Sequence, residues 1–192
     1  MKHLFLFLLT LVGAGAATAA VPASVSRAVK QVNAAKSLDV TCTINGRPAS
    51  MTLSGENFIL DLGDAKIYFD GKTQWSYSAA DNEVTIFEPT ADELAQSNPL
   101  QILRRLASDY NGAPAKGSPD SVRLTPVNKQ SDIAEATVTF DSASGWPVAM
   151  TLITGSGRAD IKQIKFTPSQ TARPASAFRF TAPAGATVSD LR

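Results

Sequence analysis

The sequence predicts an α+β fold: a strongly curved antiparallel sheet that does not close, with helices forming a lid over its concave face. Short segments of alternating apolar and polar residues recur along most of the chain, separated by tight turns. Helical patterns occur before the first strand and again in mid-chain. About ten or eleven strands are expected, and a twisted sheet of that size must curl, close or be covered. Periodicity favours the half-barrel only slightly over a closed barrel.

The first half of the chain reads as one amphipathic helix followed by a meander. Val25, Val29 and Val32 recur at helical spacing, and their small side chains suit close packing on a sheet. Turns such as Asn45–Pro48 and Gly63-Asp64 separate the strands, so neighbouring strands are expected to be antiparallel. The predicted elements are a helix at Val21–Ala35 and strands at Asp39–Asn45, Ser50–Ser54, Asn57–Leu62 and Ala65–Phe69.

The central stretch, Asp70–Leu106, says most about function. The segment DGKTQWSY places Trp75 and Tyr77 on one face of a strand, and Val84 and Ile86 match them from the return strand at Glu83–Pro89. A capping box, Thr90 with Glu93, then starts a helix, and Asn98-Pro99 starts a second one. The second helix has an apolar side formed by Leu100, Ile102, Leu103, Leu106 and Tyr110. An aromatic sheet face followed at once by apolar helices predicts a lidded hydrophobic pocket.

The second half returns to strands. Residues Asn111–Ser121 are rich in Gly, Pro and Ser, which predicts a surface loop, and Thr167–Ser176 is predicted to be another. Phe178 and Phe180 then alternate with polar residues before a tail at Ala182–Arg192. The strands predicted between the two loops are Val122–Val127, Ala134–Asp141, Pro147–Ile153 and Ala159–Phe166.

The first residues are typical of a secretory leader. Lys2 and His3 precede an apolar run at Leu4–Val12, and small residues at Ala17–Ala19 offer a cleavage site. We therefore expect residues 1–19 to be a signal peptide, residues 20–192 to be a single domain, and the mature protein to be exported. The chain has 18 basic and 17 acidic residues. A balance so close to neutral, without a basic cluster, argues against nucleic acid as a partner.

The mature chain lacks the residue types that several common catalytic mechanisms require. The only histidine, His3, lies in the predicted leader, and Cys42 is the only cysteine. These counts exclude Ser-His-Asp and Cys-His catalysis and the usual zinc sites from the mature chain. The close carboxylate pairs, Asp61 with Asp64 and Asp81 with Glu83, have the character of turn residues. We expect no enzyme activity, no metal and no cofactor, and a buried apolar role for Cys42.

Three motifs carry a resemblance to a known family. They are DGKTQWSY at Asp70–Tyr77, NPLQILRRL at Asn98–Leu106 and the tail FRFTAPAGATVSDLR at Phe178–Arg192. With the export signal, they make the chain similar to the periplasmic lipoprotein carrier LolA and to shorter LolA-like proteins. Order and spacing of the elements agree over essentially the whole mature chain.

The resemblance implies a carrier that shields acyl chains in an apolar cavity. Its cargo would be lipidated proteins, accepted from an inner-membrane lipoprotein-releasing ABC complex and delivered to an outer-membrane acceptor, with no cofactor and no bond change. A periplasmic monomer is expected. The cavity residues expected on this basis are Phe58, Leu60, Phe69, Trp75, Tyr77, Val84, Ile86, Val138, Phe140, Met150, Leu152, Phe178 and Phe180. The lid residues are Val25, Val29, Leu94, Leu100, Leu103 and Leu106.

The chain departs from the family at one position, and two other functions are compatible with its sequence. Better-known carriers have an arginine before a proline that latches the lid, but the corresponding stretch here, Ser54–Leu62, contains no arginine. Arg47 precedes Pro48 one strand too early, so the latch role is not assigned to it. A binding or sensing module for another amphiphile, such as a glycolipid or fatty acid, would use a similar half-barrel. A protein-interaction scaffold without lipid cargo would also present an apolar sheet face.

Overall fold

The computed structural model describes residues 22–90, 94, 109–128, 131 and 133–192. The described elements are one α-helix and twelve β-strands, with a 3-10 turn at Ala175–Phe178. In chain order these are α1 (Ala23–Ala34), β1 (Ser37–Ile44), β2 (Arg47–Ser54), β3 (Asn57–Asp61), β4 (Ala65–Phe69), β5 (Gln74–Ser78), β6 (Glu83–Phe87), β7 (Tyr110–Pro114), β8 (Ser121–Pro126), β9 (Ile133–Phe140), β10 (Pro147–Thr154), β11 (Gly157–Ser169) and β12 (Thr187–Asp190).

All twelve strands form one sheet, in the order β12-β6-β5-β4-β3-β2-β1-β11-β10-β9-β8-β7. Two antiparallel meanders, β1–β6 and β7–β11, join through the pairing of β1 with β11. The two ends of the strand order, β12 and β7, do not pair with each other, so the sheet is not closed. This architecture confirms the predicted α+β fold with an unclosed antiparallel sheet.

Several local predictions are wrong. Tyr110, expected on the apolar side of the second mid-chain helix, is the first residue of β7, and the loop expected from Thr167 begins only after β11 ends at Ser169. The stretch Asn111–Ser121 begins with an edge strand, β7, where Pro114 is tolerated because an edge strand has donors that need no partner. The alternation of Phe178 and Phe180 with polar residues does not correspond to a strand, because Phe178 ends the 3-10 turn. The C-terminal tail contains β12, which pairs with β6 in parallel. Local pattern could not show this last contact, since it depends on how residues 170–186 return across the sheet.

The sheet has two faces that differ in what covers them. We call the face on which α1 packs the inner face. Val25, Ala28 and Val32 of α1 belong to the same buried cluster as Leu38 and Leu53 of the sheet. Gly112 of β7 lies so close to Pro22, just before α1, that an added Cβ would be 2.5 Å from the proline Cδ. The helix is thus seated directly on the sheet, as its small apolar residues predict.

The opposite, outer face is crossed by the C-terminal strap, defined as residues 170–192. Arg173 begins the crossing: its backbone N–H donates to Ser54 Oγ (2.8 Å), and its side chain forms an ion pair with Asp39. Farther along, Arg179 Nε contacts Asp70 Oδ2 at 3.1 Å. The strap ends in β12, whose addition to β6 extends the sheet by one strand.

Candidate functional site

An apolar cavity of about 70 Å3 lies on the inner face, between the two meanders. It has room for about five water-sized groups at ~10–15 Å3 each. Side chains from β1, β2, β3, β10 and β11 surround it, so it sits where β1 joins β11. Its lining residues, named the inner cavity below, are Val40, Cys42, Ile44, Ala49, Ser50, Met51, Leu60, Met150, Ile161, Ile164 and Phe166.

The pairing register explains why these side chains meet. Residues directly opposite each other in an antiparallel sheet share a face, and Val40 opposes Met51 on one side and Phe166 on the other. Met51 opposes Leu60 in turn. Alternation along each strand therefore brings every second side chain to the inner face and forms a continuous apolar surface.

Seven of the predicted cavity residues lie on the inner face. Leu60 and Met150 line the inner cavity itself. The others belong to the packed core around it or contact that core: Phe58, Phe69, Val138, Phe140 and Leu152. Phe58 and Phe69 are paired across β3 and β4, with ring centroids 5.6 Å apart. Whether these residues contact lipid stays a prediction.

The other six predicted residues are placed differently, which corrects the expectation of one shared lining. In β5 the residues on the inner face are Gln74 and Ser76, because Gln74 opposes Phe69. Trp75 and Tyr77 therefore point to the outer face. Val84 and Ile86 oppose Tyr77 and Trp75 in β6, so they share the outer face. Phe180 of the strap packs there on Tyr68 and Tyr77, with ring centroids 4.9 and 5.3 Å apart. Phe178, fully buried in the strap beside β3, does not belong to the inner core.

The predicted lid is described only in part. Val25 is fully buried in the inner core, and Val29 and Leu94 pack against that core from positions that are partly exposed. The described residues do not include the other three predicted lid residues, Leu100, Leu103 and Leu106, or the neighbouring Ile102.

Sequence reasoning missed part of the cavity wall. Ile161 and Ile164 contribute from β11, yet they are three residues apart, which in a regular strand would place them on opposite faces. A β-bulge at Gln163, whose φ is +54°, brings both to the inner face. A glutamine gives no sequence signal for such a bulge. Phe166, which opposes Val40 across β1 and β11, also lines the inner cavity.

Two residues with polar atoms on the inner face, Gln74 and Cys42, have distinct environments. Gln74 is 5 % exposed, and its Oε1 has no hydrogen-bond partner among the described residues, while its Nε2 donates to Ser76 Oγ at 3.3 Å. Cys42 borders the inner cavity as a free thiol, and burial raises its pKa. A raised thiol pKa keeps Cys42 neutral, which suits the apolar role expected for it.

Helix α1 is held in place by contacts to the β9–β10 loop. Arg27 Nη2 donates to the carbonyl oxygen of Ala143 (3.1 Å), and Gln31 Nε2 donates to that of Ser144 (3.0 Å). Gly145 allows this approach because its φ is +75° and an added Cβ would lie 2.6 Å from Arg27 Nε. Arg47, which was not assigned the family's latch role, forms an exposed ion pair with Asp64 at 3.3 Å.

The carboxylates considered for acid–base chemistry are engaged elsewhere. Asp61 pairs with Lys66 at 2.8 Å and Asp81 accepts a hydrogen bond from Ser78 at 2.7 Å. Burial alone would raise the pKa of Asp61, but hydrogen bonds from Lys66 and the Gly63 N–H outweigh it and lower that pKa. Over the described ranges, no group of three or more metal-ligating side chains comes together. In the same part of the chain, no helix is long and apolar enough to cross a bilayer.

Solved structures of other proteins resemble this architecture. No curated protein sequence matches the chain. An uncharacterised conserved protein from Thermus thermophilus shares the fold, with a TM-score of 0.54 at 14% identity over 87% of this chain and 96% of that one. A LolA superfamily protein from Nitrosomonas europaea has a TM-score of 0.43 at 10% identity, covering 84% and 98%. An outer membrane lipoprotein-sorting protein domain from Vibrio parahaemolyticus has 0.38 at 12%, covering 80% and 95%.

A family match adds to this structural likeness. Residues 16–156, well over half of the sequence, match the family described as outer membrane lipoprotein carrier protein LolA. The matched range includes α1 and ten of the twelve strands entire, and all inner-cavity residues up to Met150. The chain belongs to the LolA family of outer membrane lipoprotein carrier proteins.

Proposed function

We propose that this protein is a periplasmic chaperone that binds the acyl chains of lipoproteins on its inner face and carries them from the inner to the outer membrane. The observation that supports it most directly is the inner cavity, which is lined by side chains from five strands, all of them apolar except that of Ser50. In this proposal residues 1–19 are a signal peptide removed near Ala19, and the exported domain acts as a monomer without a cofactor.

The size of the inner cavity defines how binding would work. Burying a methylene group contributes ~0.8 kcal/mol, so micromolar binding at about −8 kcal/mol requires roughly ten buried methylenes even before any cost of association. A cavity of about 70 Å3 holds fewer than that. Cargo binding would therefore displace groups that cover the inner face, including α1 and the side chain of Leu94.

The upper limit of noncovalent affinity also argues against complete enclosure of the acyl chains. Three long acyl chains, ~45 methylenes in all, would give roughly 36 kcal/mol, above the ~20 kcal/mol ceiling of noncovalent binding. Partial enclosure of the chains and the loss of core contacts on opening would bring the affinity into a range that permits release. Release would then require only an acceptor that offers more apolar surface.

The direct test is extraction of cargo from a membrane. Purified protein is incubated with inner-membrane vesicles that contain labelled lipoproteins and the releasing ABC complex, with ATP. The proposal expects labelled lipoprotein in a soluble complex with this protein, and release from that complex to outer-membrane vesicles. If nothing is extracted while the protein still binds an apolar dye that a lipopeptide displaces, the carrier role is wrong and a module that senses another amphiphile is favoured.

A further inference from the structure

Strands β10 and β11 separate over part of their length, and this separation lies beside the inner cavity. Their pairing runs from Thr154–Gly157 to Met150–Ile161 and stops there. Beyond that point Pro147 and Ala149 pair only with β9, and β11 pairs only with β1. At the far end the rings of Trp146 and Phe166 stack with centroids 4.7 Å apart and 13° between planes. About three residues of ladder are thus open, roughly 10 Å of strand.

The β-bulge on β11 accounts for the separation. Thr41 opposes Lys165 and Thr43 opposes Lys162, so Cys42 faces two residues of β11 where a regular ladder has one. The extra residue bends the bulged strand and increases its twist, which turns β11 away from β10. Gln163 adopts a left-handed conformation that is unfavourable for a residue with a side chain, so the surrounding structure holds it there.

A depression of about 500 Å3 occupies this place, and we call it the window. Residues of both sheet faces line it: Thr41 and Lys165 belong to the outer face, whereas Cys42 and Ile164 also line the inner cavity. The window and the inner cavity therefore share two wall residues, Cys42 and Ile164. Val148, 37 % exposed, forms the β10 side.

The outer rim of the window is positively charged. Lys165 is exposed and forms no ion pair with any described residue. Lys162 is a second exposed cation on the same strand. The carboxylate of Asp160 is occupied by Arg158, with Nη2 2.8 Å from Oδ1. An ammonium group at the rim, with the apolar inner cavity on the other side of Cys42 and Ile164, matches an amphiphile whose end group is an anion.

We propose that the window is a second opening of the inner cavity, through which a single-chain amphiphile with an anionic end group inserts its hydrocarbon chain while Lys165 contacts the anion. This inference rests on the proposed function only in requiring that the inner cavity accept hydrocarbon. The window would add an entry route that does not pass beneath α1. It would also add a ligand class, long-chain carboxylates, that lipoprotein transport does not require.

The single cysteine supplies a reporter without mutation, because Cys42 lines both the window and the inner cavity. Its reaction with a small maleimide is followed by mass spectrometry, with dodecanoate or dodecanol added below the critical micelle concentration of dodecanoate. We expect saturating dodecanoate to slow labelling at least tenfold. Lys165→Glu should weaken dodecanoate protection about tenfold and leave dodecanol protection unchanged. Lys116→Glu, the same charge change in an exposed loop, should alter neither.

A second variant tests the route. Val148→Trp fills the window and should slow association of dodecanoate at least fivefold, whereas Val127→Trp, at another exposed valine, should not. Equal weakening by Lys165→Glu and Lys116→Glu would overturn the proposal. So would unchanged Cys42 labelling under conditions in which dodecanoate displaces an apolar dye, although the lipid-binding function would then stand. Absence of both dye binding and protection would overturn the window together with the proposed function.

Discussion

The ring of Phe180 packs against the ring of Tyr77 on the outer face, with centroids 5.3 Å apart and 31° between planes. Tyr68 contacts the same phenylalanine from the neighbouring strand. The strap thus covers the aromatic strand that the sequence assigns to the lipid cavity. Aromatic pairs at such distances contribute about 0.5–1.5 kcal/mol beyond their buried area, so this contact anchors the strap.

The first prediction concerns this contact. Phe180→Ala should lower the free energy of unfolding by about 2 kcal/mol, less than the ~3–5 kcal/mol of a fully buried phenylalanine, because Phe180 is only partly buried. Dye binding to the inner face should be unchanged. Urea unfolding and dye titration measure the two quantities. Phe180→Leu is the matched control, since it keeps most of the apolar volume and should cost less than half as much.

The opposite result would return the aromatic strand to the cavity. If Phe180→Ala left stability unchanged but abolished dye binding, Trp75 and Tyr77 would belong to the binding surface after all. The register makes this outcome incompatible with the sheet as described, because Tyr77 opposes Val84 and the outer-face Lys66.

The second prediction is that the contact between Asp70 and the strap makes the stability of the fold depend on pH. Its carboxylate is 9 % exposed and contacts Arg179 Nε at 3.1 Å. Burial opposes ionisation, yet hydrogen bonds from the Thr73 and Lys72 N–H groups and from Arg179 outweigh it, and the pKa of Asp70 is lowered from 3.8. A lowered folded-state pKa stabilises the fold above the unfolded pKa. That stability is lost as pH falls through the lowered value.

Comparison with Asp70→Asn isolates this contribution. At pH 7 the variant should be about 1–3 kcal/mol less stable, since a charged acceptor of several hydrogen bonds is removed. The gap should remain at pH 5 and narrow as the pH is lowered below 3.8. Asp64→Asn is the control, because the exposed Asp64–Arg47 pair contributes little in water. A gap that stayed constant down to pH 2 would exclude ionised Asp70 as the cause.

The sequence pattern indicates which strand faces are buried, but it does not indicate which element packs on them. The alternation of Trp75 and Tyr77 correctly indicates that one face of β5 is covered, because an apolar strand face needs a partner. It does not say which partner. The strap that covers them is far away in sequence, and only the register of Phe69 with Gln74 determines which face turns outward. Where strands pair regularly, as in Phe58 and Leu60, the sequence predicts the correct face.

The seat of α1 gives a third prediction. An added Cβ at Gly112 would lie 2.5 Å from Pro22 Cδ and 3.6 Å from Leu124 Cδ2, so Gly112→Ala must push the start of α1 away from β7. Overpacking of this kind costs about 1–3 kcal/mol. We expect a lower free energy of unfolding and, because α1 covers the inner face, tighter dye binding. Gly155→Ala, where an added Cβ meets nothing within 4 Å, should change neither. Equal effects of the two variants would contradict the close seat of α1.

The last prediction tests the inner cavity by filling it. Ala49 is 9 % exposed, lines the cavity and opposes Cys42 across β1 and β2. Ala49→Leu adds three carbon atoms to a space of about 70 Å3, so the leucine would occupy volume that a hydrocarbon chain needs. We expect dye affinity to fall at least tenfold, with stability changed by less than about 1.5 kcal/mol because filling a cavity offsets local strain.

The matched control makes the same substitution on the other side of the sheet. Ala149 opposes Thr139 on the outer face, so Ala149→Leu adds the same atoms away from the cavity and should leave dye affinity unchanged. Dye titration and urea unfolding of both variants measure the comparison. If Ala49→Leu folds and binds dye as the unmodified protein does, then bound hydrocarbon does not occupy the space beside Ala49. Loss of dye binding in Ala49→Leu alone would locate the acyl-chain site at the junction of β1 and β11.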